Sequence, residues 1–191
     1  MLLFCKGFLL YSFLKEIFML KYLLLLFLPA VSAGQIKLDH KISLFRDRAA
    51  IAAPVMLTKM NEQVWKLKYG AMPQPELAIS DSAAEINLLG ERTEQPCSEN
   101  QLAQYKDFRI ANLKKTRKDI TVIDQGIKEV SGKKIGFLKF MSQAADSRIY
   151  NYYFFTVVDN KIMMFTFNCM EKHRKVWEKT ADAIAESLRV K

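Results

Sequence analysis

Residues 149–169, IYNYYFFTVVDNKIMMFTFNC, form the most apolar and aromatic stretch in the second half of this 191-residue chain. How they are read decides the fold. A membrane-crossing helix needs about 20 largely uninterrupted apolar residues. Here Asp159, Asn160 and Lys161 break the run, and Asn151 stands near its start. The segment therefore divides into two β-rich runs, residues 149–158 and 162–167, joined by a short polar link in which Asp159-Asn160 supplies hairpin geometry. Because strand side chains alternate, Tyr150, Tyr152, Phe154 and Val158 point one way and Ile149, Tyr153, Phe155 and Val157 the other. Both faces are apolar, so the sheet needs cover on each side, which helices supply in a layered domain. The tyrosines read either as core or as one wall of a ligand box, since a phenol has an apolar body and a polar tip.

Working outward, residues 120–130 and 134–142 read as two further strands joined at Ser131-Gly132. With the opening pair they make a four-stranded antiparallel meander. Residues 98–116 read as a helix opening with Ser98 and Gln101 at capping-box spacing, with Leu102, Tyr105, Ile110 and Leu113 as its inner stripe. A terminal helix runs from about 171 to 188 on the stripe Met170, His173, Trp177, Thr180, Ile184 and Leu188. Toward the N-terminus, Ile42 and Leu44 mark a short strand. Residues 61–70 read as a helix with Met60, Val64 and Leu67 on one side, stopped by Gly70 and Pro73. Residues 75–80 and 84–92 are two strands turning near Asp81-Ser82. The whole predicts an α/β (α+β) architecture: an antiparallel sheet of about six to seven strands covered by helices on both faces.

The N-terminus carries an export signal. Lys21, the apolar run at 22–28 and PAVSA ending at Ala33 match a positive segment, a short apolar segment and a small-residue cleavage site, with Val31 and Ala33 at the critical positions. Met19 would begin a signal of ordinary length, so translation from Met1 or from Met19 stays open. The expected organisation is a signal peptide over 1–33 and one domain over 34–191. Removing the signal leaves 158 residues and lowers the formal net charge from +9 to +7, since the segment holds Lys6, Lys15, Lys21 and Glu16. That length suits a single core. No span is expected in the mature chain, nucleic acid is not an expected partner outside the cytoplasm, and a monomer is expected. Cys5 leaves with the signal. Cys97 and Cys169 then form an even pair in an exported chain and are a candidate disulfide. Basic clusters at Lys114, Lys115, Arg117 and Lys118, at Lys133-Lys134 and at 172–175 read as solvated surface or as contacts for anionic envelope polymers and headgroups.

The hairpin EVSGKKIGFLKF (129–140), the strand IYNYYFFT (149–156) and FNC (167–169) before a Trp-containing last helix resemble the PsbP-like superfamily, with its bacterial exported members and DcrB-type envelope proteins. The resemblance implies an α/β/α sandwich and an accessory or binding role rather than catalysis. It carries no active site. Gly132, Gly136 and Phe155 match at turn and core positions, and the lipid-attachment Cys common in envelope relatives is missing.

No catalytic, cofactor or metal constellation is legible. His40 lies beside Asp39, and His173 sits among Lys172, Arg174 and Lys175, where cations would lower its pKa and its expected role is partial core contact. The two remaining cysteines lack metal spacing, and VSGKK lacks a second P-loop glycine. The expected function is an exported non-enzymatic accessory or binding protein of the envelope, its partner an envelope protein or other envelope component. The alternative is a small-ligand carrier with Trp65, Tyr69, Tyr150, Tyr152 and Tyr153 lining a pocket between helix and sheet.

Overall fold

The computed structural model describes residues 36–191. The expected signal, its cleavage site, Cys5 and both start methionines lie outside the described residues. The hairpin chemistry of the meander is realised at both expected turns. Ser131 and Gly132 take φ of 53° and 76°, and Asp159 and Asn160 take 50° and 56°, the doubly positive pattern that matches strand twist. These turns join β6 (Thr121–Val130) to β7 (Lys133–Gln143) and β8 (Arg148–Val158) to β9 (Lys161–Met170).

Upstream lie β1 (His40–Leu44), β2 (Ala49–Ala53), β3 (Thr58–Lys59), helix α1 (Glu62–Tyr69), β4 (Leu77–Ser80), β5 (Ile86–Pro96) and helix α2 (Leu102–Thr116). Downstream lie helix α3 (Glu171–Glu186) and β10 (Arg189–Val190). The main sheet has seven antiparallel strands in the order β3-β4-β5-β9-β8-β7-β6, and β1-β2-β10 form a second, three-stranded sheet. The expected strand number is met. The small sheet was not foreseen as such: β2 is AAIAA, with no polar contrast for a period-2 reading to detect, although Ala49, Ile51 and Ala53 are all buried.

Alternation along β8 distributes the core. Tyr150, Tyr152 and Phe154 pack with Phe165, Phe167 and Cys169 of β9, and Trp177, Ala181 and Ile184 of α3 cover them. Phe154 stacks on Phe165 at 5.1 Å and Phe167 on Trp177 at 5.9 Å. On the other face Phe155 and Val157 pack with Leu102 and Tyr105 of α2, while Ile110 meets Leu138 and Phe140. This is the layered cover that two apolar sheet faces require.

The inner side of α1 differs from expectation. Leu67 is 87% exposed, whereas Trp65 is 4% exposed and packs with Met60 and Ala78. Met60 precedes the helix, which starts after the Asn61 cap, so the apolar spacing counted from Met60 does not follow the helical turn.

Candidate functional site

The sheet face that carries α1 and α2 is not fully covered, because the two helices stand over different parts of it. Between them the floor is built from β5, β9 and β8 in register. Asn87, Asn168 and Asn151 form one row, Leu89, Thr166 and Tyr153 the next, and Glu91, Met164 and Phe155 a third. The cavity above this floor has a volume of about 360 Å³ and is lined by Trp65, Tyr69, Leu89, Glu91, Arg109, Asn151, Tyr153, Met164, Thr166 and Asn168, with Met72, Pro73 and Pro75 closing one end.

Local chemistry holds each wall. The Asn61 side chain accepts the Val64 N–H at 2.8 Å to start α1, and Gly70, at φ 65°, ends it, a backbone conformation that side chains disfavour. The chain then folds back: Trp65 Nε1 donates to the Met72 carbonyl at 2.6 Å, and Gln74 Nε2 donates to the Met60 carbonyl at 2.9 Å. Trp65 and Tyr69 pack ring on ring at 4.2 Å. On the opposite wall, the Ser98 N–H donates to Gln101 Oε1 at 3.0 Å ahead of α2. One and two turns further on, Tyr105 meets Phe155 edge-on at 5.0 Å and Arg109 lies 6.0 Å over the Tyr153 ring.

The polar groups of the floor are organised. Asn87 Nδ2 donates to Asn168 Oδ1 at 2.8 Å, and Lys68 Nζ donates to Asn87 Oδ1 at 3.2 Å. Asn151 Nδ2 donates to Ser142 Oγ at 2.9 Å. Burial raises the pKa of Tyr69 and of Tyr153, with Arg109 opposing the rise at Tyr153, so both phenols stay neutral. The Arg109 Nε–H is buried with no acceptor, and neither Arg109 nor Glu91 forms an ion pair among the described residues.

Of the five aromatic residues expected at a pocket, the structure brings Trp65, Tyr69 and Tyr153 together. Tyr150 and Tyr152 belong to the other face: both are fully buried beneath α3, and their hydroxyls have no partner. The physical reason is strand alternation, which cannot send residues 150 and 152 to the same side as residue 153. Arg109, Glu91, Thr166 and Asn168 were not anticipated. Asn151 and Asn168 did leave a signal, since each interrupts an apolar strand, and in the structure the two face each other across β8 and β9.

The candidate disulfide is corrected. Cys97 and Cys169 are both free and buried. Pro96 pairs with Lys161 and Ile86 with Cys169, so the two thiols lie at opposite ends of β9, about 26 Å apart at roughly 3.3 Å per residue. A disulfide needs Cα atoms within about 7 Å. They also pack on opposite faces, Cys97 with Leu102 and Tyr105, Cys169 under α3.

His173 sits at Glu85, Nε2 to Oε2 at 2.7 Å, and Lys172 Nζ reaches the other carboxylate oxygen at 2.7 Å, so it clamps the start of α3 instead of entering the core. Several cations of the basic clusters have local partners: Arg117 with Asp119, Lys133 with Glu99 and Arg174 with Glu178. No group of three or more His, Cys, Asp or Glu among the described residues has the arrangement of a metal site. A second, wider crevice of about 770 Å³ runs between β1, β3 and β4 and includes His40 and Lys59. Its carboxylate, Glu76, is already engaged by the Phe45 N–H at 2.5 Å.

No family model and no curated protein sequence matches the chain. Among solved structures, the solution structure of cyanobacterial PsbP (CyanoP) from Synechocystis sp. PCC 6803 is similar with a TM-score of 0.60 at 16% identity, over 85% of this chain and 99% of that one. The chain has the PsbP fold. The PsbP-like architecture is also shared by PA94, a protein of unknown function from Pseudomonas aeruginosa, with a TM-score of 0.50 at 12% identity over 80% of this chain and 98% of that one. A protein from Bacteroides thetaiotaomicron gives a TM-score of 0.52 at 9% identity over 81% of this chain and 49% of that one. Identities this low speak to the PsbP fold and not to activity.

Proposed function

We propose that the chain is an exported, non-enzymatic binding protein of the cell envelope that holds a small ligand between α1, α2 and the PsbP-type sheet. The observation that carries this reading is the cavity of about 360 Å³ with three aromatic walls and an amide-lined floor, a combination of apolar surface and few polar groups that suits small-molecule sites. Its lining holds no histidine, cysteine or serine and a single carboxylate, Glu91. The common pairings of a nucleophilic serine or cysteine with a histidine base, or of two carboxylates, are therefore not assembled there. Export rests on the signal read over residues 1–33.

Trp177 supplies an internal control for the test, because it is the buried tryptophan of α3, packed on the other sheet face. Metabolite mixtures from envelope fractions should shift the Trp65 indole resonance and leave that of Trp177 in place. If both indoles stay unmoved across the fractions, the cavity is not a ligand site.

A second reading, docking of an envelope protein, draws on the outer edge of the main sheet. Among the described residues β6 pairs only with β7, and Ile123 and Ile127 on it are 37% and 38% exposed. Free strand edges accept added strands. Cross-linking in envelope extract, with peptides mapped to 121–130, distinguishes this reading from the first.

A further inference from the structure

We infer that the ligand of the α1–α2 cavity is a zwitterion of amino-acid size, its carboxylate held by Arg109 and its ammonium group facing Glu91. This rests on the ligand-binding reading above and adds the chemical class. The argument starts from charge. Arg109 is half-buried, its Nε–H is enclosed without an acceptor, and its guanidinium lies over Tyr153. A guanidinium is always protonated and offers a planar fork that fits a carboxylate in two parallel hydrogen bonds. Among the described residues no carboxylate takes that fork, although Glu91 lines the same cavity and is itself without an ion-pair partner.

The two charges stand on different walls, Glu91 on β5 and Arg109 on α2, with β9 running between β5 and β8 in the floor. A simple anion would meet Glu91, and a simple cation would meet Arg109. A molecule with both charges pairs with the two groups at once. Glu91 is exposed and stays solvated when unpaired, so discrimination falls mainly on the half-buried Arg109, with Glu91 acting by repelling a simple anion. Size narrows the class further. About 360 Å³ is at the lower end of the roughly 300–1,000 Å³ usual for ligand sites, a volume that suits a molecule of amino-acid size. The rings of Trp65, Tyr69 and Tyr153 supply aromatic surface for an apolar or aromatic body.

Titration calorimetry with three probes separates the charges: L-phenylalanine, L-phenylalaninamide without the carboxylate, and 3-phenylpropionate without the ammonium. The purified protein is expected to bind L-phenylalanine about tenfold more tightly than the amide, the loss usual when a charged hydrogen bond goes unmade, and by a smaller factor, about two- to fivefold, than 3-phenylpropionate, since Glu91 is exposed. Arg109→Gln should weaken L-phenylalanine about tenfold and leave the amide unchanged, and Glu91→Gln should remove the penalty for 3-phenylpropionate. Glycyl-L-phenylalanine, with its charges farther apart, tests the size: weaker binding than L-phenylalanine is expected, and tighter binding overturns the amino-acid size. Equal affinity for all three probes, unaffected by Arg109→Gln, overturns the charge assignment while leaving the cavity as a binding site. No heat from any probe, with the Trp65 indole resonance unmoved by them, overturns the assignment. If envelope fractions leave that resonance in place as well, the ligand-binding reading goes with it.

Discussion

Gly136 and Phe155 stand directly opposite each other on β7 and β8, and a Cβ on residue 136 would lie 2.3 Å from Phe155 Cε2. The same relation recurs at Gly90 opposite Phe165 and at Gly126 opposite Phe137, where the nearest ring carbons would lie 2.9 Å away. In each case the ring covers the bare backbone of its cross-strand partner, a device that offsets the poor packing of strand glycines. Gly136→Ala should therefore destabilise the protein by about 1–3 kcal/mol through overpacking. Pairing it with Phe155→Leu should recover part of that loss. Chemical denaturation of the two single variants and the double variant reads both effects.

On α1, Trp65→Ala is expected to cost about 3 kcal/mol or more, the range for removing a buried large aromatic side chain. Leu67→Ala should stay within about 0.5 kcal/mol of the parent, as exposed positions do. Urea midpoints for the two variants check this directly. Equal losses would place the inner side of the helix where residue spacing alone puts it.

Both thiols should be countable but slow. Cys169 is fully buried, and burial pushes its thiol up to about 12; burial also raises that of Cys97. Since the thiolate is the reactive form, an aromatic disulfide reagent near neutral pH should titrate both Cys97 and Cys169 in denaturant, two thiols in a protein produced from Gly34 onward, and label Cys169 only slowly in the native protein. The melting temperature should not change on adding reductant.

Asp119 provides a pH-dependent contact. Arg117 Nη2 donates to it at 2.6 Å and the Gln143 N–H at 2.7 Å, and together they lower its pKa to about 2. A carboxylate depressed in the folded state stabilises above its unfolded pKa, about 3.9, and loses that contribution as pH falls toward the folded value. The melting-temperature gap between the parent and Asp119→Asn should be constant near neutral pH and close between about pH 4 and 2. A gap that persists at pH 2 would show that the contact acts without the charge.

Lys139 is almost fully buried, with Nζ 2.7 Å from Asp182 and 4.9 Å above the Tyr152 ring. Removing Asp182 alone strands the ammonium group, whereas removing both charges does not. Asp182→Ala should thus cost more than the double change Lys139→Met with Asp182→Leu, by about 1–3 kcal/mol.

The hairpins, the meander, α2 and α3 were legible because their signals are local: turn residues with positive φ, period-2 runs bounded by polar links, and a capping pair three residues apart. Strands β2, β3 and β10 were not, since two of them are two residues long and β2 is almost all alanine. The site was half legible. Trp65, Tyr69 and Tyr153 stood out as aromatics, but Arg109 lies on a helix crowded with charge, and only the packing of α2 on the sheet and the register of β5, β9 and β8 bring it into one cavity with Glu91, Thr166 and Asn168. Cys97 and Cys169 misled because an even count carries no distance.

The alternation of β8 gives one short segment two unrelated duties. Residues 150, 152 and 154 belong to the packed side beneath α3, while 151 and 153 line the cavity. A substitution on the cavity side therefore leaves the aromatic packing beneath α3 in place. Tolerance should differ between alternate positions only over the first part of the strand, because on the cavity side Tyr153 meets Phe140 edge-on at 5.0 Å and Phe155 and Val157 are buried against α2, which leaves both faces closed to change from residue 155 onward.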